Sequence, residues 1–508
     1  MKSLLLILPL LSALVPKALA QMPTNKIYGV NLGGWLLLEP WMLPKEWQEM
    51  GGQICDDCTQ CIESEFALAK AYPDTVDGVF AQHWDTWFTQ NDVNTLKDAG
   101  INTVRLPLGF WIVEGLVNRA VEHYPRGGLQ YLRRGLGWLR DAGIRVILDH
   151  HALPGVQTPG QMFTGNCTDD VQFYTPYNYG RALVWTAVMT TLSHLDPNFS
   201  SVFSIEAVNE EMMDANDTPG YGDFQKNFVR TVRAVETILG IPVDNTPPNL
   251  SSVMSTLPST NFVAALDGAC KSDLFNQDVT AALLEAIPIL SDIATSYDLE
   301  VILTLSPFDC HDKEPIVTNF MDITWQYDNP SNPADAAIGP QAYDNHLYYS
   351  FGGVADPNPT AYLESICNLQ RVQDSAALGN SPMWFGEWAL STNFNATDAF
   401  LKDWADAQKL AYSKGAGWIF WNFKIESSDS WGDQTDVPRQ WSYLEGLKRG
   451  YLTQDPSKYL NPDVCVPYIK DNTKSTTTTT SATGAVKSST SRKLAKKQRQ
   501  RHARENFF

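Results

Sequence analysis

The amino-acid sequence predicts an α/β fold, and more specifically a (β/α)8 TIM barrel with loop insertions. Short apolar runs rich in β-branched residues alternate with longer helical patterns over most of the 508 residues, which is the rhythm of repeated βα units around a parallel sheet. Several of the helical patterns stop at a glycine, a residue that commonly ends helices. Eight such strands can be counted, and eight parallel strands close a barrel.

The individual elements follow from these patterns in chain order. Strands are predicted over residues 28–31, 103–107, 145–149, 202–209, 300–305, 343–348, 383–387 and 418–422. Helical patterns, each followed closely by a glycine, cover residues 84–99, 129–142 and 399–413. Residues 241–297 contain proline breaks and are longer than one crossover requires, so an insertion is predicted there.

Composition divides the chain into three segments. Residues 1–20 have an early lysine, a short leucine-rich core and an Ala-Leu-Ala ending, which predicts a cleaved secretory signal peptide. Residues 21–469 are predicted to form one catalytic domain. Residues 470–508 are Ser/Thr-rich and then basic, so they cannot bury a core and a disordered tail is expected. A tail that contacts the cell wall and a wrongly assigned gene end both stay open.

Charge and cysteine content exclude several classes of partner. The net charge of −19 argues against nucleic acid, because a protein that grips phosphates needs a basic face. No stretch after residue 20 approaches the roughly 20 apolar residues of a membrane span, so a secreted monomer, extracellular or in the cell wall, is expected. Eight cysteines in an exported chain predict disulfides. The cluster Cys55, Cys58 and Cys61 lacks the second pair of a structural zinc site, and neither metal nor cofactor is expected.

Polar side chains follow the apolar strands at the points where the strands end. They include Arg105, Asp149, His150, His151, Asn209, Glu210, His346, Tyr348, Glu387 and Trp421. The carboxyl ends of barrel strands converge on one face, where barrel enzymes build their active sites. A charged residue after a single strand often only begins a solvated loop, but this many strand ends together indicate a site.

Two of these residues fit the chemistry of glycoside hydrolysis. That reaction needs one carboxyl group to protonate the departing oxygen and a second to attack the anomeric carbon or activate water. Glu210 and Glu387 are the predicted pair. Glu211 and Asp149 are the alternative carboxylates.

Seven motifs in the same order resemble glycoside hydrolase family 5, and in particular its fungal exo-β-1,3-glucanases. They are GVNLGGWLLLEP (29–40), VRLPLGFW (104–111), LDHH (148–151), VNE (208–210), HLY (346–348), FGEW (385–388) and GWIFW (417–421). The resemblance implies a retaining double displacement, in which Glu387 is the nucleophile and Glu210 acts first as acid and then as base. An ionised Glu387 is expected to raise the pKa of Glu210 and so keep it protonated.

The resemblance also implies roles for the residues around this pair. Asn209 would bind the sugar 2-hydroxyl, Arg105 and Tyr348 would hold Glu387 ionised, and Trp421 would stack under the ring. His151 and His346 would line the same subsite. Glu39 matches a residue that binds the non-reducing end in the exo-acting relatives. Phe351 matches one of two phenylalanines at their pocket mouth, and Phe163 is the nearest candidate for the second.

One departure from the family pattern concerns the residue after the acid/base, where Glu211 replaces the usual proline. On an extended strand Glu211 would face away from Glu210, whereas a turn in the backbone would let its charge raise the pKa of Glu210. The preferred interpretation is a secreted exo-β-1,3-glucanase that releases glucose from non-reducing ends. The alternatives are an endo-β-1,6-glucanase, a β-glucosidase acting on small glycosides, and a non-catalytic glucan-binding wall protein.

Overall fold

A computed structural model describes residues 25–243, 262–272, 274–299, 310, 312–426 and 436–469. Eight strands form a closed barrel, and each strand is parallel to both of its neighbours. In chain order β1 to β8 are Ile27–Asn31, Thr103–Gly109, Arg145–Ala152, Val202–Glu206, Val317–Met321, Gln341–His346, Met383–Glu387 and Gly417–Phe420. The predicted TIM barrel is therefore confirmed. The predicted signal peptide and nearly all of the tail lie outside the described residues.

Fourteen α-helices lie in the described part of the chain. The helices α1 to α7 are Pro44–Glu49, Glu65–Ala71, Val76–Trp87, Gln90–Asp98, Gly128–Ala142, Pro176–Leu195 and Tyr221–Leu239. The helices α8 to α14 are Phe262–Cys270, Gln277–Ser296, Pro359–Cys367, Arg371–Ala377, Asp398–Tyr412, Asp436–Trp441 and Tyr443–Lys448. Two of the predicted helices, 129–142 and 399–413, agree with α5 and α12 to within a residue at each end.

The fifth strand differs from the prediction. The segment predicted as strand 300–305 lies outside the described residues, and the barrel position between β4 and β6 is filled by Val317–Met321. This strand includes Thr318 and Asn319, so its sequence is less apolar than that of the segment chosen from hydrophobicity. The insertion predicted over 241–297 contains the helices α8 and α9, which pack against α7 and α6.

Two other boundaries also differ. The helix predicted over 84–99 is two helices, because Thr89 starts α4 with a capping box: its backbone N–H donates to Asp92 while its hydroxyl caps the helix. The fourth strand ends at Glu206 rather than at 209. Residues 207–210 instead form an irregular segment, in which Glu210 has a left-handed φ of 41°.

The apolar core has two parts. One side chain from each of seven strands forms a separate cluster, consisting of Ile27, Ile147, Phe203, Val317, Ala342, Trp384 and Ile419. Packed layers of this kind fill the interior of TIM barrels. A much larger cluster contains the remaining buried residues of strands and helices. The barrel is thus a rigid support for the side chains at its carboxyl end.

Disulfides tie the loops to this support, as the cysteine content predicts. Cys55 pairs with Cys61, Cys58 with Cys167, and Cys367 with Cys465. All three sulfurs of the 55–61 cluster are therefore in disulfides and are not thiolate ligands. By length and composition alone, one described helix, α9, is apolar enough to cross a membrane.

Candidate active site

The carboxyl ends of the strands bring the predicted polar residues together around one buried arginine. Arg105 on β2 is fully buried, and its guanidinium lies close to six side chains. They are Asn209 (2.7 Å), Glu206 (2.8 Å), Glu387 (2.9 Å), Asp149 (2.9 Å), Asn31 (3.2 Å) and Asp344 (3.5 Å). Burial acts to lower the pKa of Arg105, but the four carboxylates in this list outweigh it and raise the pKa well above its usual value. Arg105 is thus a permanent positive charge at the centre of the site.

Glu387 at the end of β7 is held by two donors. Arg105 Nη1 donates to its Oε1 at 2.9 Å, and the Tyr348 hydroxyl donates to its Oε2 at 2.8 Å. Its side chain is only 7% exposed. Burial raises the pKa of Glu387 to about 8, while His346 and Arg105 act in the opposite direction. The donors fix the orientation of the carboxylate and favour its charged form.

Glu210 faces Glu387 and is bridged to it by a histidine. Nδ1 of His346 lies 2.8 Å from Glu210 Oε1 and 3.5 Å from Glu387 Oε2. One carboxylate oxygen of each glutamate and a nitrogen of His346 all lie within 4.8 Å of one another. Glu210 is the more accessible carboxylate, with 20% of its side chain exposed against 7% for Glu387. The two glutamates therefore meet at the mouth of the barrel.

The pKa shifts of the pair differ from the sequence-based expectation. The sequence predicts that Glu387 raises the pKa of Glu210. Burial does act to raise this pKa, but the hydrogen bond and the charge of His346 outweigh burial, so the pKa of Glu210 is lowered. Burial acts to lower the pKa of His346. The negative charges of Glu387 and Asp344 and the hydrogen bond to Glu210 outweigh it and raise this pKa well above its usual value. His346 contacts both carboxyl groups, so the three groups titrate as a unit and not independently.

Asn209, His151 and Trp421 surround the space above Glu387. Asn209 Oδ1 accepts from Arg105, and its amide nitrogen lies 3.5 Å from His151 Nε2. Nδ1 of His151 is 2.5 Å from Asp149 Oδ2. The His151 ring stacks on Trp421 with centroids 5.5 Å apart and planes at 12°. On this side of the site, two stacked aromatic side chains therefore lie next to several hydrogen-bonding groups.

Glu211 does not lie on an extended strand, because the strand ends at Glu206 and the chain turns at Glu210. The Glu211 side chain is buried, and this burial raises its pKa to about 8. Burial thus favours the neutral form of Glu211. Trp325 Nε1 donates to the backbone carbonyl of Glu211 at 2.7 Å and thereby fixes the turn.

Glu39 and Phe351 lie at the edge of the site. Glu39 Oε2 accepts a hydrogen bond from Trp41 Nε1 at 2.9 Å. Burial, followed by the charges of Glu387 and Glu210, raises the pKa of Glu39 to about 8. The Phe351 ring packs against Tyr348 at 5.6 Å and against Trp441 at 6.2 Å. The structure therefore places Phe351 beside the site, one aromatic ring away from Glu387.

Comparison with known proteins identifies the family. The family model described as cellulase (glycosyl hydrolase family 5) matches residues 74–427. The chain belongs to glycosyl hydrolase family 5. The resemblance seen in the sequence motifs is thereby confirmed at the level of the family, whereas its exo-β-1,3-glucanase subtype stays a prediction.

Individual relatives of this family 5 chain carry two different names. It is 30% identical over 453 residues to a probable glucan endo-1,6-beta-glucosidase B of Neosartorya fischeri, covering 87% of the chain and 90% of the relative. It is 29% identical over 447 residues to the glucan endo-1,6-beta-glucosidase B of Emericella nidulans, and the alignment covers 85% of the chain and 86% of the relative. A probable glucan 1,3-beta-glucosidase A of Neosartorya fischeri is 40% identical over 131 residues, which cover 26% of the chain and 29% of the relative.

Among solved structures, the rutinosidase from Aspergillus niger aligns with a TM-score of 0.54 and 19% identity, covering 84% of the chain and 98% of that structure. This similarity supports the barrel fold.

Sequence reasoning missed several residues of the family 5 site. Glu206 and Asp344 contact Arg105, and Asn31 lies beside it. Their signal was present, since each is a polar side chain in a barrel strand or at its end. Trp441 packs against Tyr348 at 5.3 Å, but it lies outside every motif, and no pattern in the sequence connects it to the site.

Proposed function

We propose that this chain is a retaining β-glucanase with Glu387 as nucleophile and Glu210 as acid/base. The observation that carries the proposal is the separation of the two carboxylates, whose nearest oxygens lie within 4.8 Å. Retaining glycosidases hold their carboxyl groups about 5–5.5 Å apart, whereas inverting enzymes separate them by about 6.5–9.5 Å to admit a water molecule. Asp149 is a weaker candidate because it is fully buried below this opening.

The first step forms a glycosyl-enzyme. Glu387 attacks the anomeric carbon, the bond from that carbon to the leaving oxygen breaks, and Glu210 gives its proton to that oxygen. Glu210 must therefore carry the proton, and Glu387 the negative charge, when the attack begins. Positive charge that develops on the anomeric carbon favours an ionised Glu387.

The second step reverses these roles. Glu210 accepts a proton from water while the water oxygen attacks the anomeric carbon, and Glu387 is released as a carboxylate. Glu210 must be ionised at this stage. The hydrogen bond to His346, which lowers the pKa of Glu210, stabilises that form.

The neighbouring residues bind the sugar. Asn209 is oriented by Arg105, and its amide NH2 group can donate to the sugar 2-hydroxyl, a contact that strengthens in the transition state. Trp421 supplies a flat face under the ring. Because each of these side chains is held by a buried partner, the site is preorganised before substrate binds.

For the substrate, we favour internal bonds of β-1,6-glucan. The relatives that align over most of this chain are named as endo-1,6-beta-glucosidases. An exo-β-1,3 activity, the preferred interpretation from the motifs, is the second candidate, because Glu39 lies beside the site and a 131-residue segment is 40% identical to a 1,3-beta-glucosidase. With the predicted signal segment, either activity would be exerted outside the cell, on wall glucan.

Product analysis on two polymers tests the proposal. On the β-1,6-glucan pustulan we expect a ladder of oligosaccharides at the earliest times, with little turnover of the β-1,3-glucan laminarin. Release of glucose alone from laminarin would instead identify the exo-β-1,3 activity. Glu387→Ala is the control for both polymers, and equally low activity in the wild type and in this variant would favour a non-catalytic glucan-binding protein.

A further inference from the structure

Four consecutive backbone carbonyls at and around Glu210 accept hydrogen bonds from side chains. We call this segment, residues 209–212, the acid/base turn, and it lies beyond the end of β4 at Glu206. The donors are Gln157 to the carbonyl of residue 209 (3.2 Å), Thr158 to that of 210 (2.7 Å), Trp325 to that of 211 (2.7 Å) and Gln326 to that of 212 (2.8 Å). Side chains thus replace the neighbouring strands as partners of this backbone.

The four donors come from the two loops on either side of β4. Gln157 and Thr158 lie between β3 and α6, and Trp325 and Gln326 lie between β5 and β6. The strands β3 and β5 are the two that pair with β4. The acid/base turn is therefore held from both sides by loops that the barrel itself positions.

The backbone of Glu210 depends on such support. Its φ of 41° lies in the left-handed region, which is unfavourable for a residue other than glycine and persists where surrounding contacts impose it. In this conformation its carboxyl lies 2.8 Å from Nδ1 of His346. The direction of a side chain follows from the conformation of its backbone, so a relaxed turn would aim the carboxyl elsewhere.

We propose that Thr158 is a positioning residue for the acid/base. Its hydroxyl donates to the carbonyl of Glu210 itself, so it acts through the backbone that carries the acid. A general acid must lie within hydrogen-bond reach of the leaving oxygen, and a displacement of about 1 Å can reduce the rate about 100-fold. The proposal rests on the proposed function, in which Glu210 is the acid, and it adds a residue that lies outside every sequence motif.

Thr158→Val tests this role, because valine keeps the branched shape of threonine and removes the donor. The acid matters for a poor leaving group and much less for a good one. We expect kcat/KM for phenyl β-glucoside to fall about tenfold, which corresponds to ~1.4 kcal/mol. For 2,4-dinitrophenyl β-glucoside the fall should be less than about twofold. Glu210→Ala should show the same pattern with a larger loss on the phenyl glucoside.

Three further variants separate positioning from a general loss of structure. Thr158→Ala removes the same donor without placing a methyl group against the carbonyl, and it should change the ratio of the two kcat/KM values as Thr158→Val does. Thr158→Ser restores the hydroxyl and should recover most of the wild-type ratio. Thr191→Val is the matched control, because it removes a buried hydroxyl that donates to the Ala187 carbonyl at 2.8 Å within α6. Its ratio should equal that of the wild type.

The outcomes distinguish the role of Thr158 from the role of Glu210. Equal losses on both glucosides in Thr158→Val and Thr158→Ala, or no loss on either, would overturn the positioning role. The proposed function would stand in that case if Glu210→Ala still separates the two substrates. Equal losses in Glu210→Ala would overturn the acid and, with it, the role of Thr158. A ratio that changes as much in Thr191→Val as in Thr158→Val would report general destabilisation and would also overturn the proposal.

Discussion

Replacing Tyr348 with phenylalanine removes one of the two donors to Glu387 and keeps the aromatic ring. The lost hydrogen bond, 2.8 Å long, reaches a buried carboxylate. A hydrogen bond to a charged group contributes about 1.5–3 kcal/mol. At about 1.36 kcal/mol per pKa unit, its loss raises the pKa of Glu387 by about 1–2 units.

The expected result is a change in the pH dependence as well as in the rate. Glu387 must be ionised to attack, so the acidic limb of kcat/KM for an aryl β-glucoside should move to higher pH by about 1–2 units. At a pH on that limb, kcat/KM should fall by about 10- to 100-fold. The measurement is a kcat/KM profile between about pH 5 and pH 11.

Tyr349→Phe is the matched control for this variant. The Tyr349 hydroxyl contacts Ser365 at 3.0 Å, and its ring packs on Trp404, so its loss should leave the acidic limb in place. If Tyr348→Phe has the same acidic limb and kcat/KM as the wild type, then the Tyr348 hydroxyl does not stabilise the charged form of Glu387, and the reasoning is refuted.

Three further predictions concern the acid, a buried carboxyl and a disulfide. Glu210→Ala should lose far more kcat/KM on substrates with poor leaving groups than on aryl glucosides with good ones, and equal losses would contradict its role as acid. Burial raises the pKa of Glu65 to about 8, so its contribution to stability is complete below pH 4.5 and is lost as pH rises toward 8. Glu65→Gln should therefore reduce the drop in unfolding free energy between pH 5 and pH 7 by as much as about 2–3 kcal/mol in denaturant titrations, and an unchanged drop would contradict the shift. Replacing Cys58 and Cys167 with serine opens a loop of 109 residues and should cost about 2–4 kcal/mol of unfolding free energy, whereas an unchanged denaturation midpoint would show that the bridge does not stabilise the fold.

The barrel could be predicted because its strands are short, apolar and separated by helices. The fifth strand was misplaced because Val317–Met321 includes Thr318 and Asn319 and is therefore less apolar than a nearby segment. The break in the helix predicted over 84–99 depends on the side-chain cap at Thr89. Hydrophobic periodicity does not report a cap of this kind when the helices on both sides have similar patterns.

The site residues could be predicted because strand ends in a barrel converge. Arg105, Glu210 and Glu387 are therefore neighbours although they are far apart in the chain. The order of the pKa shifts could not be predicted, since it depends on the 2.8 Å contact between His346 and Glu210. The contact between the loops that follow β1 and β3 likewise depends on disulfide pairs that the cysteine spacing leaves undetermined.

Trapping of the glycosyl-enzyme tests the central claim most directly. Incubation with a 2-deoxy-2-fluoroglucosyl fluoride slows breakdown of the intermediate, and peptide mass spectrometry locates the attached sugar. We expect one 2-deoxy-2-fluoroglucosyl unit on the peptide that contains Glu387, and no label in Glu387→Ala. A label on Glu210, Glu211 or Asp149, or inversion of the anomeric centre during turnover, would contradict the assignment of Glu387 as nucleophile.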